Sequence, residues 1–382
     1  MIQLSAAEAR RWLLAAHALD RPLGRGHAGV RALLRHRRCI QLDPLDPIGT
    51  NADLVALARI DQLRRGGVYD ALLPGHAFEH FAKERCLLPA DAFPAYRDQA
   101  RHTPWWRSTE RMKRIDETLV RDVLDEIEAR GPLTADELTD RGRIDPLDWS
   151  GWKGTPRAST LALQVLWVRC AIVVCGRTRR GKRYDVPSRA LPDHHDAPAV
   201  GDFGRWALLD RIEAAGLLSR AGGPQWGQLR DLRTTLPDQL IEEGLIEEVQ
   251  VEGSRRAYLA PAGFRQRPQP ELDQRMRILG PLDPLLWDRR LVEQAFGFCY
   301  VWEVYKPASQ RRWGYYVVPL LHRGHLVGRL EGRVADSPTG PTLQILRLWP
   351  EQGTRLDRDA LQRALRRHAT ALGVSFDKST MP

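Results

Sequence analysis

Gln41-Leu42-Asp43 sets an amide and a carboxylate two residues apart, after a basic, apolar-patterned stretch and just before Pro-Leu-Asp-Pro. If the triplet is extended, alternate side chains share a face, so Gln41 and Asp43 point together while Leu42 packs behind them. A carboxylate so placed stabilises positive charge developing on a sugar carbon and accepts a proton from an attacking water. An uncharged amide offers both a donor and an acceptor, so it fixes the direction of that water. The same residues also suit an ordinary loop, because Asp-Pro pairs start turns. The surrounding elements decide between the two.

Ser5 reads as a helix N-cap with Glu8 as its capping-box partner, followed by Ala9, Trp12, Leu13 and Ala16 at helical spacing. His27 to Arg38 reads as a second helix, apolar at Val30, Leu33 and Leu34, with Arg35, Arg37 and Arg38 as candidate phosphate contacts. Cys39 to Leu42 reads as a short strand, which Asp43-Pro44 and Asp46-Pro47 end. The pattern returns from Ile115 to Arg130, with a short helix capped by Thr134 and Glu137 and a third helix from Pro156 to Arg169. Strands at Ile172 to Cys175 and Tyr184 to Pro187 then flank a charged hairpin tip. Lys153 before the third helix, Arg157 in its first turn, and Arg177, Arg179, Arg180, Lys182 and Arg183 on the hairpin are candidate DNA contacts; a solvated turn would carry the hairpin's charges equally.

A third version comprises helices at Phe203 to Ala215, Gly227 to Arg230 and Leu232 to Glu243, then strands at Leu245 to Val251 and Arg256 to Ala260. Pro261 to Pro270 reads as a linker. Short β-prone runs follow at Tyr300 to Tyr305, Gly314 to Leu321, His325 to Leu330 and Thr342 to Leu348, with a closing helix at Asp357 to Ala371. The expected fold class is α+β: tandem winged-helix domains at 1–115, 116–200 and 201–265, then a β-rich, barrel-like domain at 275–376.

Bulk properties agree with a polyanionic partner. The 382 residues carry 58 Lys and Arg against 48 Asp and Glu, a net charge of +10, and phosphate contacts release condensed counterions. No apolar run is long enough to span a bilayer, and the first eight residues do not start a signal peptide. The five cysteines are scattered without a Cys-x-x-Cys, which fits a reducing cytoplasm and suggests neither a zinc knuckle nor a disulfide framework.

With these elements in place, the chain resembles the bacterial winged-helix DNA glycosylases of the YcaQ-like group, which act on alkylated guanines and unhook interstrand crosslinks. The resemblance is carried by Gln41-Leu42-Asp43, by Phe78-Glu79 with Glu84 before Leu87-Leu88-Pro89, and by Trp149, Trp152-Lys153 and Leu166-Trp167. It continues through Tyr184-Asp185-Val186-Pro187, Pro281 to Arg289, Tyr305-Lys306-Pro307, Gly314-Tyr315-Tyr316 and Pro319-Leu320-Leu321. The resemblance implies a C-shaped clamp on double-stranded DNA bearing alkylated purines or crosslinks. It also implies a monofunctional glycosylase without metal or organic cofactor, with Gln41 and Asp43 as the catalytic pair. Many relatives read Glu-Tyr-Trp-Ala-His-Glu where this chain has Glu79-His80-Phe81-Ala82-Lys83-Glu84, so a lysine stands at the usual place of the histidine. Glu79, Lys83 and Glu84 are therefore expected to support the pair; helix-surface charges would look alike.

N7-alkylation makes guanine cationic, so the glycosidic bond is already weak and departure neutralises the base. An aspartate with an ordinary pKa of about 3.9 then suffices as the base. No lysine nucleophile is needed, an abasic site remains, and a monomer is adequate. The rival reading is a non-enzymatic winged-helix regulator or architectural protein, for which the Pro156 to Arg169 helix offers few groups to read base edges. Other residues are expected in lesser roles. His194-His195-Asp196 lacks further spaced ligands for a metal, and His322 and His325 flank a turn and are expected to be solvated. Asp283 and Asp288 suit a structural corner, Arg311-Arg312-Trp313 suits a phosphate contact or a solvated edge, and Trp105-Trp106 suits an interdomain plug or a DNA-facing surface.

Overall fold

The computed structural model describes residues 1–102, 116–143, 157–198, 200–269, 271–338 and 340–381. Trp105-Trp106, Trp149, Trp152-Lys153 and Pro156 lie outside the described residues. The chain forms two compact units, one of Met1–Val68, Ala82–Arg85 and Ala207–Pro382, the other of Tyr69–Phe81 and Cys86–Trp206.

In the first unit, Ser5 and Glu8 close a full capping box on the Ala6–Ala16 helix, whose Trp12, Leu13 and Leu14 enter a core with Val249, Tyr258 and Leu291. The Gly26–Arg37 helix stops at Arg38, which takes a left-handed conformation (φ 57°). The strand that follows is only Ile40–Gln41. Asp43 accepts from the backbone N–H of Leu45 at 3.0 Å and Asp46 from that of Gly49 at 2.9 Å, so side chains, not a ladder, hold the proline-rich turn. Thr50 then caps the Asn51–Leu57 helix through the Asp53 N–H.

The Phe203–Ala215 helix, Leu218–Ser219 strand and Leu236–Glu242 helix lead into a hairpin of Ile246–Val251 and Ala257–Pro261. Its sheet runs in the order Ile2–Leu4, Ile246–Val251, Ala257–Pro261, Leu218–Ser219, the first pair parallel. The expected linker after Pro261 is partly core: Phe264 is buried, 5.2 Å from the Trp12 ring. A curled half-barrel sheet follows, ordered Arg277–Ile278, Val317–His322, His325–Ala335, Thr342–Pro350, Ser375–Phe376, with bulges at Leu320/Leu321 and Glu331/Gly332. The Arg358–Leu372 helix shares its core through Leu361 and Leu365, against Val318, Leu330 and Leu343. Tyr300 to Tyr305 is not a strand. The Glu303 carboxylate takes the N–H of Trp313 at 2.7 Å and the Lys306 ammonium at 2.8 Å, so this segment is tied as a loop.

In the second unit, the Glu117–Arg130 helix, the Leu133–Thr134 strand and the Ala158–Val168 helix precede a hairpin of Val173–Thr178 and Gly181–Asp185. The sheet order is Leu133–Thr134, Gly181–Asp185, Val173–Thr178. The expected helix after Thr134 is a single turn: Thr134 donates from both N and Oγ1 to Glu137, and the chain leaves helical geometry there. The hairpin strands are longer than expected, leaving only Arg179-Arg180 at the tip.

Candidate active site

The Gln41 side chain is buried, only 6 % exposed, although it belongs to the least regular part of the first unit. Two bonds account for its position. Its backbone carbonyl accepts from Asn51 Nδ2 at 2.8 Å, and its side-chain Oε1 accepts from Lys83 Nζ at 3.2 Å. Asn51 also takes the Leu282 N–H on its Oδ1 at 3.2 Å, and Trp287 Nε1 donates to the Leu282 carbonyl at 2.9 Å. The Lys83 ammonium lies over the Trp287 ring, 4.6 Å from its centre. A Cβ at Gly280 would stand 2.7 Å from Asn51 Oδ1, so glycine is what lets this strap come close.

Asp43 is half-buried, and burial raises its carboxyl pKa, partly offset by the Leu45 N–H. Only Oδ1 is engaged by that backbone bond. Two tyrosines feel its charge. Tyr305 is 82 % exposed, with burial and then Asp43 and Glu84 raising its phenol pKa. Tyr316 is buried and its hydroxyl lacks a hydrogen-bond partner; burial first, then Asp43 and Asp46, raises its pKa. The first unit thus gathers a fixed amide, a part-exposed carboxylate and an ammonium. This set can orient a water, take its proton and stabilise a nearby cation.

Sequence reasoning did not single out Asn51 or the two tyrosines. The Tyr-Lys-Pro and Gly-Tyr-Tyr runs were visible as motifs, but their nearness to Asp43 was not. Of the expected supporting residues, Lys83 touches Gln41, and Glu84 is exposed close enough for its charge to reach Tyr305. Glu79 belongs to the second unit. Its fully buried carboxylate is bound by Arg177 and Lys182 from the hairpin, so it anchors that hairpin.

Several expected DNA contacts change role. Arg37 is interior, 1 % exposed, and donates to the Ala16 carbonyl at 2.5 Å and to that of Ala214. The helix rotates this position inward while leaving Arg35 exposed. Arg38 pairs with Asp210 at 2.5 Å. Arg177 and Lys182 carry the Glu79 charge, and Arg183 donates to the Pro132 carbonyl at 2.9 Å. Arg157 is exposed with Asp136 at 3.4 Å, Arg180 is exposed with Glu137 at 3.9 Å, and Arg179 is exposed at the tip. Lys153 lies outside the described residues.

Asp283 is fully buried against Arg59, and Asp288 caps the Arg289–Phe296 helix, both structural positions. His322 is buried, not solvated: its Nε2 lies 3.3 Å from the Gln274 carbonyl. His80 is buried beside Trp167, and burial pushes its pKa down to about 4. Among the described residues, no group of His, Cys, Asp and Glu is arranged to hold a metal ion, and no helix is long and apolar enough to cross a membrane.

A family model described as DNA glycosylase AlkZ-like matches residues 34–371. Among solved structures the chain is similar to Streptomyces sahachiroi DNA glycosylase AlkZ, with a TM-score of 0.58, 16 % identity and 98 % of each chain covered.

Proposed function

The chain belongs to the AlkZ-like DNA glycosylase family, and from that premise we propose that it hydrolyses the N-glycosidic bond of N7-alkylated purines, interstrand crosslinks included. The observation that carries this reading is a buried, fixed Gln41 amide followed two residues on by a half-exposed Asp43 carboxylate. The bond from N9 to C1′ breaks, its electron pair neutralises the cationic base, and positive charge builds on the sugar. Asp43 faces that charge and accepts the proton of the water that adds to C1′. Gln41 directs the water. The product is an abasic site, and no covalent enzyme intermediate is required.

Two features support DNA engagement. The sheet order of strand, second hairpin strand, first hairpin strand occurs in both the 116–200 and the 201–265 segments, as in a winged helix, with Arg179-Arg180 at one wing tip. The rival regulator reading is weakened by the Ala158–Val168 helix. Nine of its eleven residues are buried, leaving no row of side chains to read base edges. We read the protein as a monomer acting on double-stranded DNA.

The test is heat-and-alkali cleavage of duplexes carrying N7-methylguanine or a nitrogen-mustard crosslink after incubation with the protein. Strand breaks at modified guanines are expected. Binding without breaks would refute the proposal.

A further inference from the structure

We propose that Lys83 is a positioning residue that locks the Gln41 amide with its oxygen inward, so that Gln41 presents only its NH2 group to the reaction. This role rests on the reading of Gln41 as half of the catalytic pair and assigns the direction in which it works.

An ammonium has three donors and no acceptor, whereas an amide has one face of each kind. Lys83 Nζ lies 3.2 Å from Gln41 Oε1, so the oxygen must face the lysine and Nε2 must face away. The lysine is itself seated, 4.6 Å from the centre of the Trp287 ring, where a cation is attracted to the π face. A closed circuit then runs from Lys83 through Trp287, the Leu282 backbone and Asn51 to the Gln41 carbonyl, and from the Gln41 side chain back to Lys83. Both the backbone and the side chain of Gln41 are therefore fixed.

The chemical consequence is a division of labour. A Gln41 that offers only N–H groups holds the water by its oxygen, leaving the water's protons to Asp43. An amide free to flip would half the time offer its carbonyl and compete with Asp43 for those protons. The same seat argues against imine formation by Lys83, since its nitrogen is committed as a donor and held over a ring.

The experiment is single-turnover base release on N7-methylguanine duplex by Gln41→Ala, Lys83→Met, Lys83→Arg and Gln41→Ala/Lys83→Met, with duplex affinity measured beside it. Lys83→Met is expected to lower the rate about tenfold or more, the size of one lost charge-assisted hydrogen bond, with affinity nearly unchanged. Lys83→Arg, which also has only donors, is expected to restore most of the rate. In the Gln41→Ala background, Lys83→Met should cost nothing further. Losses that multiply would overturn the role of Lys83 while leaving the catalytic pair standing. Full activity of Gln41→Ala alone would overturn the pair and this role with it. A protein–DNA adduct trapped by borohydride in wild type and absent in Lys83→Met would make the lysine a nucleophile and also overturn the proposal. Should Lys83→Met fail to fold, Lys83→Gln serves in its place: it has an acceptor as well as a donor, so a rate equal to that of Lys83→Arg would refute the orientation argument.

Discussion

Arg59 and Asp283 stand 224 residues apart in the chain and meet as a fork-to-fork ion pair, with nitrogen–oxygen distances of 2.7 and 2.9 Å and neither side chain exposed. The guanidinium also donates to the His17 and Val55 carbonyls at 2.7 and 2.9 Å, so its donors are nearly all used. Asp283 adjoins Leu282, and Arg59 lies two residues past the end of the Asn51–Leu57 helix. The pair thus clamps together the two segments whose hydrogen bond lies under Gln41.

Breaking that pair by one partner should be costly, because the other charge is left in the interior. Asp283→Ala is expected to destabilise the first unit by about 3–5 kcal/mol, read as a lower midpoint in urea unfolding. A change under about 1 kcal/mol, the scale of an exposed pair, would show that the clamp contributes little.

Asp43 should trade stability for activity. Its folded-state pKa is raised, chiefly by burial, so its charged form is disfavoured in the folded protein. Protonation therefore favours folding: the stabilisation is full below the unfolded pKa and is lost as pH rises through the folded pKa. Asp43→Asn is expected to match or exceed the wild-type melting temperature at pH 7, with the difference vanishing in acid. The acid limb of the wild-type rate should lie above the ordinary aspartate range, since the base must be ionised. A limb at or below that range would contradict the assignment.

Glu79 separates structure from chemistry. Glu79→Gln leaves Arg177 and Lys182 without their shared carboxylate, so it should destabilise the second unit by roughly 3 kcal/mol or more. At a temperature where the variant remains folded, its rate of base release should stay within a few-fold of wild type. A large rate loss in folded protein would return Glu79 to the catalytic machinery.

Much of the helical framework was legible because it is written locally. The Ser5 and Glu8 capping box and the Phe203–Ala215 helix fall where the sequence places them. What was hidden depends on distant partners. Arg37 resembles Arg35 in the sequence, and only the packing of Ala16 and Ala214 around it reveals an interior residue. Tyr300 to Tyr305 has strand-forming residues, yet the buried Glu303 ties the segment as a loop. At the site, the triplet and the lysine were visible, but not the 42-residue separation that folding closes between Lys83 and Gln41. Tyr316 gives no sign in sequence that its hydroxyl is buried and unpartnered.

Tyr305 should matter through its ring. It is 82 % exposed on the loop tied by Glu303 and stands edge-on to Trp302 at 5.5 Å. Tyr305→Ala is expected to weaken duplex binding by about 1–3 kcal/mol, the range for a lost base-stacking aromatic, and Tyr305→Phe by much less. Equal loss in both would move the contribution to the hydroxyl.

The most direct test of the central claim is single-turnover release of N7-methylguanine from duplex DNA by wild type, Asp43→Asn and Gln41→Ala, each shown to be folded and to bind the duplex. The rate is expected to fall on the order of a hundredfold or more in Asp43→Asn and clearly in Gln41→Ala, with affinity retained. Wild-type rates in both variants would contradict the claim.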